Sequence, residues 1–194
     1  MPKDNISIPD GELVYRPNFF SPEKSNQLYL HLLDHIHWRS DKIRIFGKVH
    51  DVPRLQAWYG DEGARYSYSN IDLEPLPWTP ELLEVKERIE EVSQGTYNSV
   101  LLNLYRNGRD SNGWHSDNEK ELGDSPEIAS LSLGQERVFH MKHKTLSLKK
   151  RFLLADGSLL IMRGETQKYW KHQIPKSARE MSPRINLTFR RIFA

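Results

Sequence analysis

Apolar positions along the chain fall into two regimes. Near the N-terminus they recur at helical spacing: Leu28, Leu32, Leu33 and Ile36 follow Ser21-Pro22-Glu23, and Leu82, Val85, Ile89 and Val92 follow Thr79-Pro80-Glu81. Each start offers an N-cap hydroxyl, a proline where its missing N–H costs nothing, and an acid in the first turn. The pattern predicts two packing helices, the second ending at Ser93-Gln94-Gly95. Further on, the period falls towards two, and short strands are predicted over residues 98–106, 127–133, 136–142, 145–154, 157–163, 168–174 and 184–193. So many short strands after two helices suit a mainly β chain with flanking α-helices, folded as a two-sheet jelly roll.

The last strand is the most informative. Ile185, Leu187 and Phe189 alternate with Arg184, Asn186, Thr188 and Arg190, so one face is core-like and the other cationic and hydrogen-bonding. Arg184 and Arg190 are separated by roughly 20 Å of backbone at about 3.3 Å per residue, and two long side chains reaching inward can clasp a short dicarboxylate. Guanidinium matches carboxylate with paired hydrogen bonds, which lysine cannot do. The competing reading is a row of surface ion pairs on an exposed strand face.

His115-Ser116-Asp117, with His172 downstream, supplies the second constellation. Two histidines and one carboxylate can occupy one face of an octahedral metal and leave the other positions open, the ligand logic of non-haem Fe(II) oxygenases. In the strand over 98–106, Asn103 and Tyr105 point the same way. Residues 106–113 are dense in turn formers, which places His115 and Asp117 just beyond a loop at the rim of a sheet.

Composition narrows the chemistry. With no cysteine there is no disulfide, no thiolate zinc site and no cysteine nucleophile, so any metal must be held by nitrogen and oxygen. A chain of 194 residues is expected to form one domain. A formal charge of +2 and a pI of 8.7 permit a polyanionic partner without demanding one. Distribution says more: Arg137, Lys142, Lys144, Lys149, Lys150 and Arg151 concentrate positive charge in a hairpin-like stretch, either a phosphate-contacting rim or a solvated hairpin, whereas residues 119–127 are acidic. Residues 1–5 lack a signal-peptide core, and no apolar run approaches the eighteen or so residues of a membrane span. An intracellular protein with no membrane partner is expected, cytoplasmic, or nuclear if eukaryotic.

Two groups of aromatics look exposed. Phe46, beside Gly47 and Lys48 at a predicted hairpin tip, is placed either to enter a base stack as a wedge or to pack under its own loop. Tyr66 and Tyr68 share a strand face, as a stacking wall for an extruded base or as ordinary sheet packing.

Taken together, Asn103-Leu104-Tyr105, Trp114-His115-Ser116-Asp117-Asn118-Glu119, residues 129–134, 157–162 and 170–172, and Pro183-Arg184-Ile185-Asn186-Leu187-Thr188-Phe189-Arg190 closely resemble the AlkB family of Fe(II)/2-oxoglutarate-dependent nucleic-acid dealkylases. Residues 45–50, Val52-Pro53-Arg54 and Tyr59-Gly60-Asp61 resemble the nucleotide-recognition region of its duplex-DNA repair branch. The likeness covers residues 40–193 and implies a double-stranded β-helix, with helices buttressing one sheet and a recognition lid over residues 40–72. Residues 1–95 would supply the N-terminal helices and lid, and residues 96–194 the catalytic jelly roll.

The resemblance also implies roles. His115, Asp117 and His172 would be the catalytic Fe(II) ligands, and Asn103, Tyr105, Arg184, Asn186, Thr188 and Arg190 would anchor 2-oxoglutarate. Phe46, Gly47, Lys48, Tyr66, Tyr68, Asn118 and Glu119 would bind substrate; at Asn118 the related duplex-DNA enzymes can carry an aspartate. The implied activity is O₂-dependent demethylation of N1-methyladenine and N3-methylcytosine type lesions, releasing formaldehyde, succinate and CO₂. A monomer acting on alkylated DNA, duplex or single-stranded, is expected, with RNA as a further candidate. Two alternatives stand beside it. A related oxygenase acting on RNA or a small substrate would need no wedge, and a zinc hydrolase or silent nucleic-acid-binding module would leave the Arg184/Arg190 pair unexplained.

Overall fold

The structure, a computed structural model, describes residues 5–45, 48–64, 66–68 and 71–193. Both predicted helices are present, α1 over Pro22–His35 and α2 over Pro80–Glu90. Their caps are the ones the sequence offers: Ser21 Oγ accepts from the Lys24 N–H and Thr79 Oγ1 from the Leu82 N–H, each at 3.3 Å. Leu28 and Leu32 of α1 and Leu82, Val85 and Ile89 of α2 point into the core. Leu33 does not; it lies one position round the helix from that stripe and is 37% exposed. The second helix also stops earlier than expected, with the Ser93 N–H closing its last turn on the Ile89 carbonyl.

Fifteen strands are described. The large sheet runs β1 (Asn5–Ile8), β2 (Gly11–Arg16), β13 (Ser158–Arg163), β10 (Ile128–Gly134), β15 (Arg184–Arg190), β8 (Ser99–Tyr105) and β5 (Leu55–Gly60), in that spatial order. A smaller sheet has the order β12 (Lys149–Leu154), β11 (Arg137–His143), β14 (Trp170–Ile174) and β9 (Asn112–His115). Two hairpins stand apart: β3 (Lys42–Ile45) with β4 (Lys48–Asp51), and β6 (Tyr66–Tyr68) with β7 (Ile71–Leu73).

Alternation along the central strands explains the layering. On β15, Ile185, Leu187 and Phe189 are fully buried in one cluster with Leu28 and Leu32 of α1 and Leu82 and Ile89 of α2. The opposite face of the same sheet contributes Leu101, Tyr105, Leu160 and Met162 to a second cluster with Phe139, Met141 and Trp170 of the small sheet. The large sheet therefore packs on helices with one face and on the small sheet with the other, the jelly-roll arrangement expected. Every position of β15 is buried, which removes the reading of its arginines as surface ion pairs.

Several expectations need correction. β1, β2 and β5 were not anticipated, and they join the large sheet; β5 falls inside the stretch assigned to the lid, which is thereby split into its two flanking hairpins. Residues 145–148 turn instead of pairing, because His143 Nδ1 accepts the N–H groups of Thr145 and Leu146. Residues 168–169 belong to a short helix α3 (Thr166–Tyr169) that precedes β14. No helix among the described residues is long and apolar enough to cross a membrane.

Candidate active site

The inner face of the large sheet is polar where its two layers part. Registry places Tyr105 opposite Arg184, and Asn103 opposite both Asn186 and Gln56. Across from them, the small sheet brings His172 of β14 opposite His115 at the end of β9, with Asp117 two residues further on. One ligand atom from each of His115, Asp117 and His172 lies within 4.8 Å of the others. These residues line a cavity of about 50 Å³ that opens to solvent, together with Arg184, Asn186 and Arg190.

The three side chains are held in place. The Nδ1–H of His115 donates to the Gly113 carbonyl at 2.7 Å, which leaves Nε2 as the lone-pair nitrogen. Burial first, then the neighbouring His172, pushes its pKa down to about 3, so the ring is neutral and ready to ligate. For Asp117, burial alone would raise the carboxyl. Arg190, a hydrogen bond from His172 and the nearby His115 outweigh it and hold the group well below the ordinary carboxylate range. Arg190 donates to Asp117 Oδ1 through Nε at 3.1 Å and through a second guanidinium nitrogen, and His172 Nε2 lies 3.4 Å from Oδ2. Behind the loop, Gln167 of α3 accepts the Asp117 N–H at 3.0 Å.

Arg184 is the least exposed charged side chain among the described residues. It is 1% exposed, donates one hydrogen bond to Ser132 Oγ at 2.9 Å, and lies over the Tyr105 ring at 5.2 Å. No carboxylate faces it among the described residues, and its Nε and a terminal nitrogen have no hydrogen-bond partner. Burial pushes its pKa down to about 10, against the raising effect of Tyr105, and nearby Arg137 adds to the depression.

The sequence of residues 12–190 matches the family described as the 2OG-Fe(II) oxygenase superfamily. The chain is 45% identical over 159 residues to the mouse protein named DNA oxidative demethylase ALKBH2, an alignment covering 78% of this chain and 66% of that one. It is 41% identical over 187 residues to the human alpha-ketoglutarate-dependent dioxygenase alkB homolog 3, covering 91% and 65%. The chain belongs to the AlkB family. It spans slightly less than two thirds of the length of these curated relatives. A solved structure described as that of OsALKBH1 superposes with a TM-score of 0.66 at 16% identity, covering 96% of this chain and 98% of the other, a likeness of fold.

Measured against that family pattern, the described residues bring together the metal set and the six anchor candidates: Asn103, Tyr105, Arg184, Asn186, Thr188 and Arg190 all line the cavity. The substrate candidates are more dispersed. Phe46 and Gly47 lie outside the described residues; Lys48 is a backbone position of β4, and Tyr66 and Tyr68 are paired in β6 with Leu73 and Ile71, their side chains outside the described part. Asn118 is exposed, and Glu119 is half-buried with Oε2 lacking a hydrogen-bond partner.

Arg137 is a further correction. It is 2% exposed and donates to the carbonyls of Asn107, Asp110 and Pro175, so it braces the loop before β9 and leaves the basic rim. The remaining cations gain a pattern that the sequence did not reveal. Lys142 stands opposite Lys149 on one side and Lys171 on the other, a row of three lysines, with Lys142 also 4.5 Å over the exposed ring of Trp114. None of the four strands of this sheet contains an acid.

Sequence reasoning missed the role of Arg54 in the cavity wall and that of Gln56 behind it, bonded to Asn103. The signal was present, since Arg54 and Gln56 alternate with Leu55 and Ala57 at strand period.

Proposed function

We propose that this chain is an Fe(II)/2-oxoglutarate-dependent dioxygenase that demethylates alkylated bases in DNA, of the N1-methyladenine and N3-methylcytosine type, with release of formaldehyde, succinate and CO₂. The observation that carries the reading is Arg184, a buried cation without a counter-charge beside a two-histidine, one-carboxylate set. Other buried arginines, Arg54 and Arg137, are satisfied by protein oxygens, whereas Arg184 keeps two nitrogens without a partner, a cost that an anion at the site would offset. A dicarboxylate does so, whereas a zinc site with a water would leave Arg184 unused.

The donor set fits iron: two imidazoles and one ionised carboxylate on one side, and no cysteine sulfur. His115, Asp117 and His172 would hold the metal, and Fe(II) with 2-oxoglutarate and O₂ would supply the oxidising power for a C–H bond. The protein contributes placement. Arg184, with Tyr105 beside it, receives one carboxylate at the cavity floor, while Asn103 and Asn186 lie in the adjoining register row. Arg190 keeps Asp117 ionised and oriented. Phe139, Leu101 and Met162 form an apolar wall that excludes water from the reacting group.

DNA as the partner is supported by the relatives named as DNA demethylases, and by the acid-free face carrying Lys142, Lys149 and Lys171, where like charges stand opposed until an anion neutralises them. The test is turnover on matched oligonucleotides that carry one N1-methyladenine or N3-methylcytosine, as single-stranded DNA, duplex DNA and RNA, beside the free nucleoside. Repair of the DNA substrates with loss of the methyl group supports the reading. Oxidation of the nucleoside as fast as the oligonucleotide would favour the small-substrate reading, and faster action on RNA would shift the partner.

A further inference from the structure

Asn103 has an unusually constrained amide. It is 3% exposed, and its Oδ1 accepts two hydrogen bonds, from Arg54 Nε at 2.7 Å and from Gln56 Nε2 at 3.0 Å. Among the described residues its Nδ2 makes no hydrogen bond to protein. The register of the sheet creates this arrangement. Gln56 of β5 stands opposite Asn103 of β8, which stands opposite Asn186 of β15, and Arg54 precedes Gln56 by two residues on the same strand face.

The two donors are not equivalent. Gln56 can turn its own amide and offer an oxygen, but a guanidinium has no acceptor at all. If the Asn103 amide were reversed, its NH₂ would meet the Arg54 Nε–H head-on in a buried site. Arg54 therefore decides which end of Asn103 faces the cavity, and Gln56 reinforces it. Arg54 is itself anchored: its terminal nitrogen donates to the Ser111 carbonyl at 3.1 Å, and the Ser111 N–H returns a bond to the Pro53 carbonyl at 2.9 Å. One residue further back, the Val52 N–H bonds the Asp41 carbonyl at 2.8 Å, closing the base of the β3–β4 hairpin.

We infer that Arg54 and Gln56 are positioning residues for the co-substrate: they lock the Asn103 amide with Nδ2 towards the cavity, where it donates to a carboxylate of 2-oxoglutarate. Through Arg54 the lock is tied to the base of the β3–β4 hairpin and to the loop that leads into the His115 strand. This rests on the proposed use of 2-oxoglutarate and adds the residues that set its affinity without touching it.

The test is direct binding of 2-oxoglutarate, by calorimetry on protein loaded with Mn(II) in place of iron, beside a separate Mn(II) titration and the unfolding midpoint without ligand. Arg54→Met, which frees the Asn103 amide, should weaken 2-oxoglutarate binding about tenfold, the scale of one hydrogen bond to a charged group. Gln56→Leu should cost less, because Arg54 still fixes the amide. The double variant Arg54→Met with Gln56→Glu should cost more than Arg54→Met and Gln56→Glu made singly cost together, since an acceptor alone draws Nδ2 away from the cavity. Arg54→Lys, which keeps a donor, should recover part of the loss, and Mn(II) affinity should stay within about twofold throughout, a small fraction of the 1.4 kcal/mol that a tenfold change represents.

Unchanged 2-oxoglutarate affinity in folded Arg54→Met overturns the lock. So does a parallel loss of Mn(II) and 2-oxoglutarate binding, which marks a general loosening of the site. If the unmodified protein itself gives no 2-oxoglutarate binding, the proposed function fails, an outcome told apart by its presence before any substitution is made.

Discussion

Replacing Arg184 by Met should make the ligand-free protein more stable while abolishing its response to 2-oxoglutarate. The depression of the Arg184 pKa to about 10 reflects how poorly the fold accommodates the cation, a penalty on the order of 3 kcal/mol at ~1.4 kcal/mol per factor of ten. Because burial lowers the folded-state pKa of a base, this penalty is fully present at neutral pH. It fades only as pH rises through about 10, when the fold sheds the proton before the unfolded chain does. Against the gain stand the lost bond to Ser132 and the lost contact with the Tyr105 ring, together about 1–2 kcal/mol. Methionine has nearly the reach of the arginine stem and no polar atom to satisfy. The net expectation is a gain of about 1–2 kcal/mol, or roughly 2–8 °C in Tm for a domain of this size.

Ligand response moves the other way. A co-substrate at one hundred times its Kd stabilises a protein that binds it by about 2.7 kcal/mol, so the Tm of the parent protein should rise by several degrees with 2-oxoglutarate and Mn(II). Arg184→Met should show none of that rise. Thermal unfolding of both proteins with and without 2-oxoglutarate reads the two effects in one experiment. A variant that unfolds several degrees earlier than the parent, as for ordinary damage to a core, would refute the buried-cation argument. A retained 2-oxoglutarate shift would refute the carboxylate-anchoring role.

Arg190 should behave differently from Arg184, because it already pairs with Asp117: Arg190→Lys should weaken Mn(II) binding as well as 2-oxoglutarate binding, read by separate titrations, whereas loss of 2-oxoglutarate binding alone would detach it from the metal set. If Phe46 is a wedge, Phe46→Ala should slow demethylation of a lesion in duplex DNA far more than of the same lesion in a short single strand; equal slowing with the fold intact removes the wedge. Asp110 accepts the N–H and two guanidinium nitrogens of Arg106; burial opposes its ionisation, but these bonds and the Arg106 charge hold its pKa below the ordinary carboxylate value. Its contribution should therefore be present above the unfolded carboxylate pKa and vanish as pH falls through the depressed folded value. Asp110→Ala should cost about 1–3 kcal/mol at neutral pH and flatten the acid limb of a Tm–pH profile, which an unchanged limb would contradict.

The helices, most strands of the catalytic layer and the metal set were legible because each carries a local signature: a cap followed by helical spacing, strict alternation, or ligand types in a fixed order. Arg184 and Arg190 were legible as a pair, but their different tasks were not, since the Arg190–Asp117 contact joins residues 73 apart in sequence. β1 and β2 escaped because they are short and β2 buries the adjacent Leu13 and Val14 in different core clusters, which breaks simple alternation; β5 escaped because the alternation of Arg54 and Gln56 with Leu55 and Ala57 gives way at once to the buried run Trp58-Tyr59. The lysine row Lys149, Lys142 and Lys171 depends on register between three strands, which composition cannot supply. Arg137 shows the converse. A basic residue in a basic stretch was read with its neighbours, whereas alternation along β11 turns it inward.

The most direct test of the central claim is a stoichiometry. Protein loaded anaerobically with Fe(II) and 2-oxoglutarate is mixed with O₂ and an oligonucleotide bearing one isotopically labelled N-methyl group, and labelled formaldehyde and succinate are quantified together. Equal amounts of the two are expected, with no labelled formaldehyde without 2-oxoglutarate and loss of both products in His115→Ala, Asp117→Ala or His172→Ala. Formaldehyde release that persists without 2-oxoglutarate, or in a folded Asp117→Ala protein, would contradict the claim.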